Sequence, residues 1–575
     1  MTATDSARRP QIAAIAERPK AQVLIIGAGI NGIATFRDLA LQGIDVVLVE
    51  RDDYVSGASS ASSHMIHGGV RYLENGELRL VKESVQERNR LIKNAPHYVK
   101  PLQTTIPIFS TFSGLFSAPL KIVTHKSGKP KERGAFLIKV GLSIYDSFSR
   151  DGGTVPRHRF LGAKKSLQEL PRLNKDLKYT ATYFDASMHD PERLALDVLS
   201  DGLDAGSHAR AANRLSAVGS RDGAVLLRDG ETGEEIEFRA DVVVNTSGPW
   251  TDLTNEALGD KTEYMGGTKG SHIVLDNQEL FKATGGREIF FENSDGRIVL
   301  IYPLKNMVMV GTTDIDADPA QPVECTEEEI DYFFDLVKWV YPDITVDREQ
   351  IVYKFSGIRP LPGHGDTAPG FVSRDYRIVG GDLGGTPMLS LVGGKWTTFR
   401  ALAEHLANEV MDKLGTKRSA NTENLPIGGG KGYPTSSDAR KVWVGARADG
   451  VSPTRVDELL ERYGTRAQVI LDLLSDEPER PMATLPHYGV QEIEHLVRTE
   501  QVVHLTDLVQ RRTSIAFTGK ATTAALVELA EIAGTVLGWD VARREREVAD
   551  TAALLSGPHG MRLDTDSEKE RSSVA

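Results

Sequence analysis

Residues 21–50 read AQVLIIGAGINGIATFRDLALQGIDVVLVE. Positions 23–26 are continuously apolar, as a strand buried on both faces requires. Gly27-x-Gly29-x-x-Gly32 follows at once. Positions 30–41 carry helical spacing, Gly43 ends that run, and 46–49 form a second apolar strand. Strand, glycine turn, helix and strand make a βαβ unit. The three glycines suit a tight turn, close backbone approach to a pyrophosphate, and tight helix–strand packing. The helix start, with Asn31 in its first turn, offers N–H donors and positive dipole to phosphate. Glu50 closes the second strand 21 residues after Gly29, where a carboxylate can bind a ribose diol. The whole frame points to a dinucleotide.

Outward from this unit, 575 residues predict two or three domains. A composition of 40% hydrophobic and 26% charged residues is that of an ordinary soluble globular chain. A net charge of −12 argues against general nucleic-acid binding but leaves room for a small anion held by local cations. The single cysteine, Cys325, excludes a disulfide framework, a CxxC pair and a cysteine zinc site within one chain. An intracellular protein is therefore expected. The histidines show no metal-ligand spacing, so no metal is expected. The apolar run in residues 1–20 is too short for a signal sequence. No stretch approaches the ~18 apolar residues of a spanning helix, so any membrane contact is peripheral.

A further strand of the same style appears at ADVVVNTSG (240–248), and strand, Gly-Gly, helix recurs in MLSLVGGKWTTFRALAEHLANEV (388–410). One nucleotide-binding domain is thus assembled from separated segments, expected at 21–88, 180–250 and 355–412. Between them, REIFFENSDGRIVLIYPLKNMVMVGTTD reads as three short strands with turns at 294–296 and 305–306. Thr326 and Glu329 form a capping box before an amphipathic helix with Ile330, Phe333, Phe334, Val337 and Val340 on one face. These strands and helices predict an antiparallel cap domain over 89–179 and 251–354. Helical patterns fill 427–555, a third domain, and the tails 1–20 and 556–575 are expected to be disordered. The expected fold class is α/β plus α+β, with a Rossmann-like domain and a helical C-terminal domain. NAD domains are normally continuous; a nucleotide domain interrupted twice and resumed near its end favours FAD.

The motifs GAGINGIA, SSASSHMIHGGVRYLE, NTSGPW, KGSHIV, GTTD, SGIRPL and GGKWTTFR occur in this order. Over residues 21–410, and more loosely beyond, the chain resembles the FAD-dependent glycerol-3-phosphate dehydrogenases of the respiratory type. These lie within the glycine/D-amino-acid oxidase class of flavoproteins. The resemblance implies oxidation of sn-glycerol 3-phosphate to dihydroxyacetone phosphate, with electrons passing through noncovalent FAD to a membrane quinone. It implies a cytoplasmic protein on the inner face of the cell membrane, with a homodimer left open. The chain has none of the calcium loops of some relatives, which favours the bacterial form. Three alternatives stay open: an oxidase of the same substrate that uses O2, an amine or amino-acid oxidase, and a structural flavoprotein.

Within this frame each motif acquires a role. Ser59, Ser60, Ser62 and Ser63 are short hydroxyl donors for the pyrophosphate. Gly68 and Gly69, after His67, let backbone pass close to the flavin ring. Arg71 has the planar fork suited to a phosphate, and Tyr72 adds a hydroxyl. Arg359 in SGIRPL and Lys395 in Gly-Gly-Lys are the other candidate cations. Arg359 would hold substrate, and Lys395, read at a helix start beside Gly394, would stand at the flavin–substrate junction. Removing the C2 hydroxyl proton needs a base, for which His272 is the first candidate and His67 the second. Thr246, Gly248 and Thr397 line the cofactor. Asp314 either orients a substrate-site cation or forms a turn. Finally, residues 106–141 combine Phe109, Phe112, Leu115, Phe116 and Leu120 with Lys121, Lys126, Lys129, Lys131 and Arg133. An apolar patch beside a basic cluster suits an anionic membrane surface.

Overall fold

The structure is a computed structural model that describes residues 9–69, 78–109, 138–146 except 140 and 144, 155–292, 298–363 and 375–563. The strand Lys20–Ile26 lies between Val46–Val49 and Glu235–Asn245, parallel to both. Ala209–Ala212 extends this sheet beyond Val46–Val49, and Thr386–Val392 extends it beyond Glu235–Asn245, again in parallel. The helices Ile30–Leu41, Pro191–Leu203 and Phe399–Leu414 pack together on one face, burying Ile33, Phe36, Leu194, Leu199, Leu402 and Leu406. Strands buried on both faces explain why these segments are apolar throughout.

Among the described residues, a second sheet of ten strands is mostly antiparallel. Near one end of it, Met265–Leu275 pairs with both Ile351–Pro362 and Met307–Gly311. Side chains alternate across it, as the twofold period of a strand demands. Ile273, Leu275, Val308 and Val310 pack under the helix Glu327–Val340, whereas Val274, Met309, Tyr353 and Phe355 pack against the C-terminal helices. The capping box forms: Thr326 accepts from the Glu329 backbone, and the Glu329 carboxylate accepts from Thr326 N–H. Ile330, Phe333, Val337 and Val340 are buried on this helix. The turn at Lys305–Asn306 has positive φ at both residues, the signature of a tight hairpin turn. The turn expected at 294–296 lies outside the described residues.

Three domain boundaries move. Residues 180–188, expected in the nucleotide domain, lie in the strand Tyr179–Met188, which forms ten consecutive pairs with Val99–Ile108 and belongs to the second sheet. Ile351–Pro362 belongs there too, so the first sheet resumes only at Arg377–Leu383. Met65–Ile66 also joins the second sheet, beside Tyr179–Met188. The tails are more ordered than expected. Pro10–Glu17 is a helix whose Ile12 and Ile15 are fully buried, and His559 accepts from Lys354 N–H through its backbone carbonyl. Phe109 is half-buried, its ring 5.4 Å from Trp339, rather than presented outward. Residues 110–137 of the proposed docking segment lie outside the described residues.

The helical C-terminal region is fastened to the first domain by charge. His504 sits between Glu231 (3.1 Å) and Glu547 (2.9 Å). Burial opposes its charge, but hydrogen bonds to the two carboxylates prevail and raise it to about 9. Because this lies above the unfolded value of 6.5, the interaction stabilises the fold fully below pH 6.5 and is lost as pH rises through 9. The melting-temperature gap between wild type and His504→Gln is therefore expected to be larger at pH 6 than at pH 10. An equal gap at both would show that the charge contributes nothing.

Candidate active site

The glycine fingerprint closes on its neighbours. A Cβ on Gly32 would lie 2.0 Å from the Gly27 carbonyl oxygen and 2.6 Å from the Thr246 hydroxyl. That hydroxyl donates to the carbonyls of Ile26 and Gly27, so Thr246 braces the turn. Gly394 has φ +113°, and a Cβ on it would lie 2.4 Å from Asn31 Nδ2. The Glu50 carboxylate accepts from the Ala28 N–H (2.7 Å) and the Asp52 N–H (3.1 Å), and burial pushes its pKa up. Gly248 adopts φ +64° in the loop just after Thr246.

The four serines divide their work. Ser59 Oγ accepts from Ile30 N–H at the helix start (3.0 Å). Ser60 donates to the Gly57 carbonyl, and Ser62 accepts from His64 N–H. Ser63 Oγ lies 2.9 Å from His272 Nε2. One loop thus runs from the fingerprint helix to the candidate base. The loop 393–398 locks it in place: Trp396 Nε1 donates to the Ser59 carbonyl and Thr397 Oγ1 to the His67 carbonyl. Lys395 sits within this loop, four residues before the helix starts at Phe399 rather than at a helix start, and its charge reaches Glu83.

His272 and Arg359 share one face of the second sheet. His272 is 2% exposed and stacks on Phe355, ring centroids 4.8 Å apart. Burial first, then the Arg359 charge, then His64 push its pKa well below 6.5, so the ring is neutral. Two glycines make room. A Cβ on Gly311 would lie 2.2 Å from the His272 ring, and one on Gly270 would lie 2.2 Å from the Arg359 guanidinium. Arg359 donates to Asp314 (2.9 Å), Thr312 Oγ1 (2.9 Å) and the Thr313 carbonyl (2.9 Å). Asp314 therefore orients a cation. Beneath the sheet, Glu329 receives Lys269, Ser271 and Thr313, tying the capping box to the strand that carries His272. Arg71 and Tyr72 lie outside the described residues.

Sequence reasoning missed the support of the His67–Gly69 segment. Asp185 accepts from Gly68 N–H (2.9 Å) and from the buried Tyr145 and Arg88. No local signal links positions 68, 88, 145 and 185.

Residues 22–400 match the family model described as FAD dependent oxidoreductase. The chain belongs to that family. Residues 420–544 match the C-terminal domain of alpha-glycerophosphate oxidase. Among curated relatives of this FAD dependent oxidoreductase, the glycerol-3-phosphate dehydrogenase of Synechocystis sp. is 33% identical over 92% of this chain and 94% of that protein. The D-erythritol 1-phosphate dehydrogenase of Brucella abortus is 33% identical over 72% of this chain and 79% of that one. The glycerol-3-phosphate dehydrogenase from Bacillus halodurans, solved with FAD, shares the fold: TM-score 0.72 at 22% identity, covering 95% of this chain and 97% of that one.

FAD is the cofactor of the family, and the cradle fits it. Asn31 Oδ1 is buried without a protein partner beside the helix start. The glycine approaches at 32 and 394 leave no volume for side chains. Glu50, Asn31, the Ile30 end of the helix and the 59–69 and 393–398 loops are the elements that would hold the dinucleotide.

Proposed function

We propose that the chain oxidises sn-glycerol 3-phosphate to dihydroxyacetone phosphate and passes the electrons to a membrane quinone. One observation carries the reading. The loop that begins at the fingerprint helix ends on His272, a neutral buried base that shares a sheet face with Arg359. Base and anion-binding cation therefore stand together beside the cofactor cradle. The names of the relatives support the polyol phosphate as substrate.

When bound, FAD supplies the two-electron acceptor for a hydride. The side chains do the rest. Arg359, held by Asp314, presents a fixed guanidinium to the substrate phosphate. Arg71, Tyr72 and Lys395 complete the anion site. His272 accepts the C2 hydroxyl proton; burial and the Arg359 charge keep it unprotonated at neutral pH. The quinone reading is supported by the apolar and basic residues of 106–141. No described helix is long and apolar enough to cross a membrane.

Anaerobic addition of sn-glycerol 3-phosphate should bleach the oxidised flavin band, and glycerol or a D-amino acid should not. D-Erythritol 1-phosphate is the discriminating arm: faster bleaching by it would transfer the assignment to the longer polyol. A band that stays oxidised with every phosphorylated polyol would refute the reading. Arg359→Lys keeps the charge but not the fork, and is expected to raise KM about 10- to 100-fold, the worth of one charge-assisted hydrogen bond. An unchanged KM in a dye-linked assay would remove Arg359 from the phosphate.

A further inference from the structure

Ser63 is 209 residues from His272 in the chain, yet its hydroxyl lies within hydrogen-bond distance of that ring. The opposite nitrogen, Nδ1, is buried with no hydrogen-bond partner among the described residues. The pair therefore admits two arrangements. If Ser63 donated to Nε2, the ring proton would sit on Nδ1 as a buried, unsatisfied N–H. If Nε2–H donates to Ser63, Nδ1 carries a lone pair instead. Orphaned buried donors are the rarer and costlier case, so the second arrangement is favoured.

We propose that Ser63 is a positioning residue for the base: its oxygen accepts the Nε2 proton of His272 and leaves on Nδ1 the lone pair that takes the C2 hydroxyl proton. The inference rests on His272 being the base. In the step served, the O–H and C2–H bonds of the alcohol break. The proton goes to Nδ1, the hydride with its electron pair goes to oxidised flavin, and the C2 carbonyl forms. Because Ser63 only accepts, its bond persists once the ring is charged, and it stabilises the imidazolium that the step creates. Among the described residues, the other group that favours that charge is Phe355, through its stacked ring face. Gly311 beneath the histidine ring has no side chain, and Arg359 and His64 both oppose protonation. Asp314, which could favour it, is engaged by Arg359. The same loop holds Ser59 on the fingerprint helix, so it links that helix to the base.

The test uses flavin-loaded enzyme and stopped-flow reduction by sn-glycerol 3-phosphate across pH. Ser63→Ala is expected to slow reduction about 10- to 100-fold, the range of a hydrogen bond to a charged group. It should also move the acid limb of the rate profile to lower pH, because the charged ring loses its acceptor. Ser63→Thr should restore both. Ser63→Cys keeps the volume with a weaker acceptor; it should show an intermediate shift, and carries the test if Ser63→Ala fails to retain flavin. A wild-type rate in Ser63→Ala, or a slower rate with an unmoved acid limb, overturns the proposal; so does failure of threonine to rescue. If wild-type flavin is not reduced at all, the substrate reading has failed instead.

Discussion

Replacing His272 by glutamine is expected to slow flavin reduction by sn-glycerol 3-phosphate about 100- to 10,000-fold, the contribution of a positioned general base. Glutamine fills much of the space beside Phe355 and can still meet Ser63, so flavin content and thermal stability should stay near wild type. The loss should fall on the rate of reduction and leave the substrate concentration at half-saturation little changed, because in the proposed site Arg359 would hold phosphate independently of the base. The wild-type pH profile follows from the same environment. With the histidine pKa pushed well below 6.5 by burial and then by Arg359, the base is already unprotonated at neutrality. Reduction should thus be flat through neutral pH and fall only in acid, and His272→Gln should abolish that acid limb. If the variant reduces flavin at the wild-type rate, His67 becomes the base to examine.

What was legible in the sequence was local. The fingerprint, its βαβ frame and Glu50 lie within thirty residues, and the capping box within four. Each is short-range grammar that tertiary packing had no reason to override. His272 was legible as a candidate because it stands in KGSHIV, one of the motifs that carry the family resemblance. Its partners were not, because Ser63 and Arg359 reach it from 209 and 87 positions away. The glycines at 270 and 311 read as weak strand positions until the ring and guanidinium that occupy their Cβ space are seen. Residues 180–188 were placed in the wrong domain for a related reason. Alternation identifies a strand but says nothing of which sheet receives it. Pro10–Glu17 escaped notice because eight residues with a charged flank carry little periodicity; it is held by burial of Ile12 and Ile15 rather than by intrinsic preference.

Asp53→Ala is expected to cost about 3–5 kcal/mol, the penalty for leaving buried charge uncompensated. Asp53 is fully buried three residues beyond Glu50 and accepts from Arg511, Arg512 and Asn213. Burial alone would raise its pKa, but Arg512 and Arg511 outweigh it and hold the carboxyl below the usual range. Arg512 is 1% exposed; both fork nitrogens donate to Asp53, and Nη2 also donates to the Glu500 carbonyl. Arg511 turns to Asp507, which also receives Arg214 from the first domain. Removing the carboxylate strands Arg512 with the Glu500 carbonyl and leaves Arg511 with Asp507 and the Gln510 side-chain oxygen. Both arginines lie in the C-terminal helical region, so the damage is to its docking. Limited proteolysis of flavin-loaded Asp53→Ala should cut between the first domain and residues 427–555 under conditions where wild type resists. Asp53→Asn, which keeps the shape and one acceptor, should be milder but show the same cut. The consequence reaches the site, since Phe355, on which His272 stacks, is packed in the same core as Leu508, Val509 and Ile515. Flavin reduction in Asp53→Ala should therefore slow as the domain loosens, and added salt should not reproduce the effect, because a fully buried cluster is poorly screened. If Asp53→Ala melts and resists proteolysis like wild type, the cluster does not fasten the helical domain.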